Sequence, residues 1–436
     1  MITSIIGRIF LEAYNKKFNA HYDAKNFFVE QYCPLFFGHE KYMMTAGNSP
    51  LENPKISWDK MIREQLPFES EERRKERFNA LISKIETNYA DASIAIGYPT
   101  LDINSTTSGQ VSNINMNTSK DEVYLSWIGA GFGIGVQGGF SILFNNVVVL
   151  FDIFEGWNIY RKILDETPNL KGNQINTWNG QWLAHKYNKH EYIKDNYMAN
   201  FNPYIIKDNL MSIDTQSWTK IIIAISGKIK NPQMMGYIYN YGQTNTTIGF
   251  IPFALDEIRR PIDMYQHLFG TEEGRKAEEL YGTAFGFITA CKAGAIGVKA
   301  MEPKGLRDYM EKGKMPKYDG GEEQIIKFHT YIIWILAMLK NEEMWAKAQE
   351  FAHEMQIYSQ NADRGKVGSS RKVDAVMQST SKTKLIESLV DVVADAANKD
   401  KIEEVAALIN AMPNDNVQYF MVLVKFHYAS INNIKK

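Results

Sequence analysis

Past Gly321 the chain almost stops using glycine and proline, and every later segment carries helical spacing. That change constrains the fold more than any motif. A chain without turn-formers at close intervals cannot build short strands, and an apolar residue every third or fourth position buries one face of a helix. EEQIIKFHTYIIWILAMLK places Ile325, Phe328, Ile332, Ile335 and Leu336 on one broad face. MWAKAQEFAHEMQIY, KTKLIESLVDVVADAAN, DKIEEVAALINAM and NDNVQYFMVLVKFHYASI supply four more helices. Ser381 is a candidate N-cap for the third, Pro413 stops the fourth, and Asn414 or Asp415 caps the fifth. Residues 322–436 therefore read as a helical bundle.

The preceding stretch, 302–321, holds Pro303, Gly305, Gly313, Pro316, Gly320 and Gly321, and reads as a linker. Residues 1–301 read as a mixed α/β domain. The first 32 residues and the charged stretch 69–88 have helical spacing. ASIAIGYP, DEVYLSWIGA and NVVVLFDIF are apolar and rich in β-branched or aromatic residues, so strands are expected there, with a helix through FDIFEGWNIYRKIL. KIIIAISGKI (220–229) is expected to be a buried strand. Phe140–Phe144 looks extended, and YIYNYGQTNTTIGFIPF reads as a hairpin around Gly242. Residues 256–300 return to helical spacing. The expected fold class is α+β, a mixed N-terminal domain followed by a C-terminal helical bundle. A chain of 436 residues is long enough for two cores.

The formal net charge is −1, so the chain lacks the overall basic balance of a protein that grips nucleic acid alone. Any such contact is local or shared with partners. Two cysteines, Cys33 and Cys291, allow no CxxC metal site and fit a reducing compartment. No apolar run reaches the roughly 18 residues of a membrane span. The N-terminus reads as a helix and not a leader, which places the protein in the cytoplasm, away from membranes.

No constellation of catalytic residues stands out. There is no Walker A sequence, no GxSxG elbow and no HExxH. His39-Glu40 and the pair His185 and His190 lack metal-site spacing, so no metal and no cofactor is expected. The run GAGFGIGVQGG (129–139) contains a formal GxGxxG at Gly133, Gly135 and Gly138. In a dinucleotide fold such glycines bring backbone to a pyrophosphate at a helix N-terminus. An enzyme using this loop for a nucleotide is the alternative reading, and a structural interaction protein is another.

Two polar, amide-rich segments, the first of them uncharged, point instead to nucleic acid. INSTTSGQVSNINMNTS (103–119) contains Thr107, Ser108 and Gln110. KGNQINTWNGQWLAHKYNKH (171–190) combines Lys171, Asn173, Gln174, Asn176 and Asn179 with Trp178 and Trp182. Amides carry a donor and an acceptor together and can read base edges, while lysines hold phosphates. Residues 364–384 carry six Lys or Arg against one Asp, among them Arg364, Lys366, Arg371 and Lys372, and read as a basic connection able to hold a strand.

In its order of parts and in the segments TTSGQVSN, WIGAGFGIGVQGGF and NQINTWNGQW, the chain resembles the large subunit of type I CRISPR surveillance complexes (Cascade). Lacking a CxxC pair, it is unlike the branch with zinc-ribbon-like cysteines. The resemblance implies a non-catalytic subunit working with a guide RNA complex, other Cascade subunits and a recruited helicase-nuclease. It would recognise a protospacer-adjacent motif in the double-stranded DNA target and help unwinding begin. Asn173, Gln174, Asn176 and Asn179 are then the candidate motif readers, with Thr107, Ser108 and Gln110 as second candidates. Lys171, Arg364, Lys366, Arg371 and Lys372 are the candidate phosphate contacts.

Overall fold

The computed structural model describes residues 1–99, 117–240, 247–282, 286–361, 368–394 and 396–433. The chain divides into two compact units, Met1–Phe253 and Ala254–Lys436. The expected boundary at 302–321 is thus misplaced. Residues 298–304 are tied into the second unit by buried side chains: Trp334 Nε1 donates to Val298 O at 2.7 Å and Tyr331 Oη to Lys304 O at 2.6 Å. Glycine and proline there mark turns inside a packed unit, not a joint between two.

Unit 1 contains α1 (Ile2–Phe18), α2 (Ala24–Phe27), α3 (Cys33–Phe37), α4 (Trp58–Ile62), α5 (Glu71–Thr87), α6 (Lys120–Ala130), α7 (Val147–Glu166), α8 (Ile175–Lys186) and α9 (Trp218–Lys228). One antiparallel sheet runs in the order β1 (Ile134–Val136), β2 (Phe140–Phe144), β5 (Met234–Tyr239), β6 (Gly249–Phe253). A separate hairpin joins β3 (Tyr204–Lys207) to β4 (Leu210–Ile213) through Asp208 and Asn209, both left-handed. The extended reading of Phe140–Phe144 and the pairing of β5 with β6 hold. The loop around Gly242 lies outside the described residues.

Three expected strands are helices. DEVYLSWIGA forms α6, NVVVLFDIF opens α7, and KIIIAISGKI lies in α9. ASIAIGYP forms turns. Each helix starts at a side-chain cap that satisfies otherwise orphaned N–H groups. Ser119 and Glu122 form a capping box before α6, Asn146 Oδ1 accepts from Val148 and Val149, and Ser217 Oγ accepts from Lys220. Helix α6 is buried on every side from Val123 to Ala130, so it has no polar stripe to show a helical period. It lies tightly against α1. A Cβ on Gly129 would stand 1.8 Å from Thr3 O, and one on Gly7 2.1 Å from Leu125 O. Glycine at both positions permits the crossing.

Unit 2 opens with α10 (Leu255–Phe269), α11 (Thr271–Leu280), α12 (Gly286–Lys292) and α13 (Arg307–Met310). The bundle follows: α14 (Glu322–Leu339), α15 (Glu343–Asn361), α16 (Gly368–Met377), α17 (Lys382–Val393), α18 (Lys399–Ala411) and α19 (Asn414–Asn433). The expected α+β class and helical C-terminal region hold. Ser381 caps α17, its hydroxyl accepting from Lys384 N–H. The mid-sections of α14 and α19 are buried all round and pack on each other through Phe328, Tyr331 and Phe426. The basic stretch 364–384 is not simply a connection, because α16 occupies its middle.

Candidate nucleic-acid interface

The glycine run and the amide-rich stretch at 171–190, both in unit 1, pack against each other. Helix α8 lies on β1 with backbone touching backbone. A Cβ on Gly135 would meet the Asn176 carbonyl carbon at 2.9 Å, and one on Gly180 would meet Gly135 O at 2.6 Å. Gly133 faces the Tyr239 hydroxyl and the Asn176 amide. Gly138 and Gly139, both with positive φ, make the turn into β2. The run therefore leads out of α6 through β1 and the turn into β2, with no helix N-terminus directly after it, and Gly133 and Gly135 are closed off by protein. The geometry of a phosphate-binding loop is absent here, and GxGxxG records close packing instead.

The amides of α8 and its approach are spent inside the fold. Asn179 is completely buried and its Nδ2 donates to Gly131 O at 2.8 Å and Gly133 O at 2.9 Å. It cannot reach a base edge, so its assignment as a motif reader is corrected to that of a clamp between α8 and the glycine run. Asn176 Nδ2 donates to Ser141 Oγ at 3.0 Å. Gln174 is the N-cap residue, and its Oε1 accepts from Ile213 N–H at 3.2 Å. Asn173 takes the left-handed conformation that asparagine tolerates, φ 58°, and its Nδ2 reaches Glu52 Oε1 at 3.4 Å. These three are half-buried and committed to neighbours. Trp178 and Trp182 stack inside, donating to Gly156 O and Asp152 O. They are core residues and not platforms for bases.

Lys171 is half-buried at the bridge between Leu170 and Met211, its own N–H donating to Met211 O at 2.9 Å. Arg371 and Lys372 lie on α16 in unit 2; Arg371 is exposed, and Lys372 Nζ donates to Asp391 O at 2.8 Å. Thr107, Ser108, Gln110, Arg364 and Lys366 lie outside the described residues.

Sequence reasoning missed Lys41 and Arg161. Lys41 is 5% exposed, and its Nζ donates to Thr167 O at 2.6 Å and Leu170 O at 3.2 Å. Burial, aided by the nearby Arg161 guanidinium, lowers its ammonium pKa to about 8. Arg161 Nη1 donates in turn to Lys41 O at 2.7 Å. Together they hold the chain that enters α8. A lone lysine in a turn-rich segment gives no periodic signal, so nothing in the sequence marks it.

Among the described residues, no group of three or more His, Cys, Asp or Glu side chains could hold a metal ion. Burial pushes the Cys33 thiol well above its ordinary range and the Cys291 thiol up to about 11. Neither supplies a thiolate at neutral pH. No described helix is long and apolar enough to cross a membrane. The fold thus defines an α+β chain with a helical C-terminal region and an amide-stitched core. Comparison with protein-family models, curated proteins and solved structures found no match.

Proposed function

We propose that the chain is the non-catalytic large subunit of an RNA-guided type I CRISPR surveillance complex, acting on duplex DNA beside the target and recruiting a separate helicase-nuclease. The observation that carries this reading is that two of the three segments resembling that family, WIGAGFGIGVQGGF and NQINTWNGQW, form one substructure, the β1–β2 hairpin clamped to α8. That substructure belongs to a mixed unit followed by a helix-rich one, the order the family reading requires.

With the α8 amides spent internally, motif reading falls to Thr107, Ser108 and Gln110 in the uncharged 103–119 segment, where hydroxyls and amides suit base edges. Lys171 and Arg371 suit phosphates. The test is expression with the neighbouring genes and recovery of the chain bound to a short RNA and further subunits. In that complex, alanine at Thr107, Ser108 and Gln110 should weaken binding to motif-bearing duplex by about tenfold or more. Binding to a pre-opened target should stay unchanged. Recovery of the chain without RNA, or equal loss on both DNAs, overturns the reading.

A further inference from the structure

The β3–β4 hairpin closes through Asp208 and Asn209, and its register sets Lys207 opposite Leu210, Ile206 opposite Met211, Ile205 opposite Ser212 and Tyr204 opposite Ile213. In an antiparallel ladder, opposite residues turn their N–H and C=O groups either towards each other or both away. Met211 turns away. Its N–H donates to Asn169 O at 3.0 Å, and its carbonyl accepts from Lys171 N–H at 2.9 Å. Ile213 turns away too, its N–H donating to Gln174 Oε1 at 3.2 Å. Tyr204 and Ile206 therefore point their main-chain groups out of the hairpin, and no described group takes them.

This outer edge is open and apolar. Ile205 and Ile206 are 47% and 69% exposed, on opposite faces of the strand. Lys207, Asp208 and Asn209 are exposed as well. A row of free N–H and C=O groups is a template for one more extended strand. The hairpin is already held at its tip, where Arg63 Nη1 donates to Asp208 O at 3.3 Å, so pairing requires little further ordering.

We infer that this edge pairs with the same edge of a second copy of the chain, antiparallel across a two-fold axis at Ile205. The edge is self-complementary in that register. Tyr204 faces the partner's Ile206, and Ile206 faces the partner's Tyr204, so every outward N–H and C=O of both strands is matched. Ile205 packs on the partner's Ile205. Lys207 lies beside the partner's Pro203, and the two lysines sit at opposite ends of the seam, so no like charges meet. A register centred on Tyr204 or on Ile206 matches the outward groups of one residue only within the strand. This symmetry selects a second copy as the occupant. The pairing stands independently of the function proposed above.

Sedimentation equilibrium of the full chain from about 10 to 500 µM covers the range in which so small an interface dissociates. The chain should pass reversibly from monomer to dimer. Ile206→Pro removes an outward N–H and leaves the bonds to β4 in place. Near-UV circular dichroism should be unchanged, while the dimer weakens at least about tenfold. Cysteine substitution reads the register even where the proline variant fails to fold. At position 205 the two Cα atoms stand about 4.5 Å apart, within disulfide reach, and Ile205→Cys should give a cross-linked dimer on air oxidation. At position 206 they lie on a diagonal about 7–8 Å apart, and Ile206→Cys should not. Cys33 and Cys291 are buried and do not compete. A chain that stays monomeric throughout overturns the inference and leaves the edge to a strand of another protein. So does a dimer that a folded Ile206→Pro variant still forms as tightly, or one that Ile205→Cys fails to cross-link.

Discussion

At the scale of the residue, burial decides what a polar side chain can do. Asn179 looked like a reader of bases because amides can read them, but it has no exposed surface and two backbone carbonyls to satisfy. Asn179→Ala would leave the Gly131 and Gly133 carbonyls unpaired in the core. It should lower stability by about 2–3 kcal/mol in denaturant titrations, and any change in nucleic-acid binding should follow the folded fraction. His427 on α19 shows burial acting on charge. It lies against Trp345, with ring centroids 4.5 Å apart, and its Nε2 has no partner. Burial pushes its pKa from 6.5 down to about 4. The folded state therefore resists protonation that the unfolded state accepts. Stability attributable to this group is full above about pH 6.5 and declines as pH falls towards 4, by about 3 kcal/mol in total. Measured as wild type minus His427→Leu across that window, the difference should carry this slope. Parallel pH profiles would remove the assignment.

At the scale of the element, glycine has opposite meanings in two helices. Gly129 sits in α6 where a side chain would enter the backbone of α1. Gly227 sits in α9 with nothing within 4 Å of where a Cβ would go. Alanine improves helix propensity at either place by at most about 1 kcal/mol. At Gly129 that gain is outweighed by overpacking against backbone, which has no rotamer to yield. Gly129→Ala should cost at least about 3 kcal/mol, and Gly227→Ala should gain about 0.5 kcal/mol. Thermal or chemical unfolding of the two variants checks both signs. The same contrast explains the strands that proved to be helices. KIIIAISGKI and DEVYLSWIGA are apolar enough to fill either element when fully buried, and period cannot separate them. The caps at Ser217 and Ser119 are the local feature that distinguishes both segments as helices.

At the scale of the whole molecule, the division into units is itself testable. The sequence puts a joint at 302–321, and the structure closes the first unit at Phe253. Helix α14 needs what precedes it: Trp334 and Tyr331 donate to Val298 O and Lys304 O, and His329 stacks on Phe269 at 3.6 Å between ring centroids. Residues 254–436 expressed alone should therefore unfold cooperatively, with sharp near-UV dichroism. Residues 322–436 alone should lose that sharp tertiary signal. Equal cooperativity of the two fragments would restore the sequence-based boundary.

Much of the fold was legible. Spacing found five of the bundle helices and missed α16, Ser381 announced its cap, and an extended-looking run and the glycine at 242 pointed to β2 and the β5–β6 pair. These are local properties, fixed by neighbours three or four residues away or across one turn. Lys171 and Arg371 could be nominated as phosphate contacts from charge alone. What the sequence could not settle is which polar groups face inward. The clamp made by Asn179, the close approach of Gly135 to α8 and the carbonyl cage around Lys41 all join residues distant along the chain. Each depends on burial, and burial is a property of how elements pack. Only the tertiary structure decided whether an amide was left for a ligand or consumed by the backbone beside it.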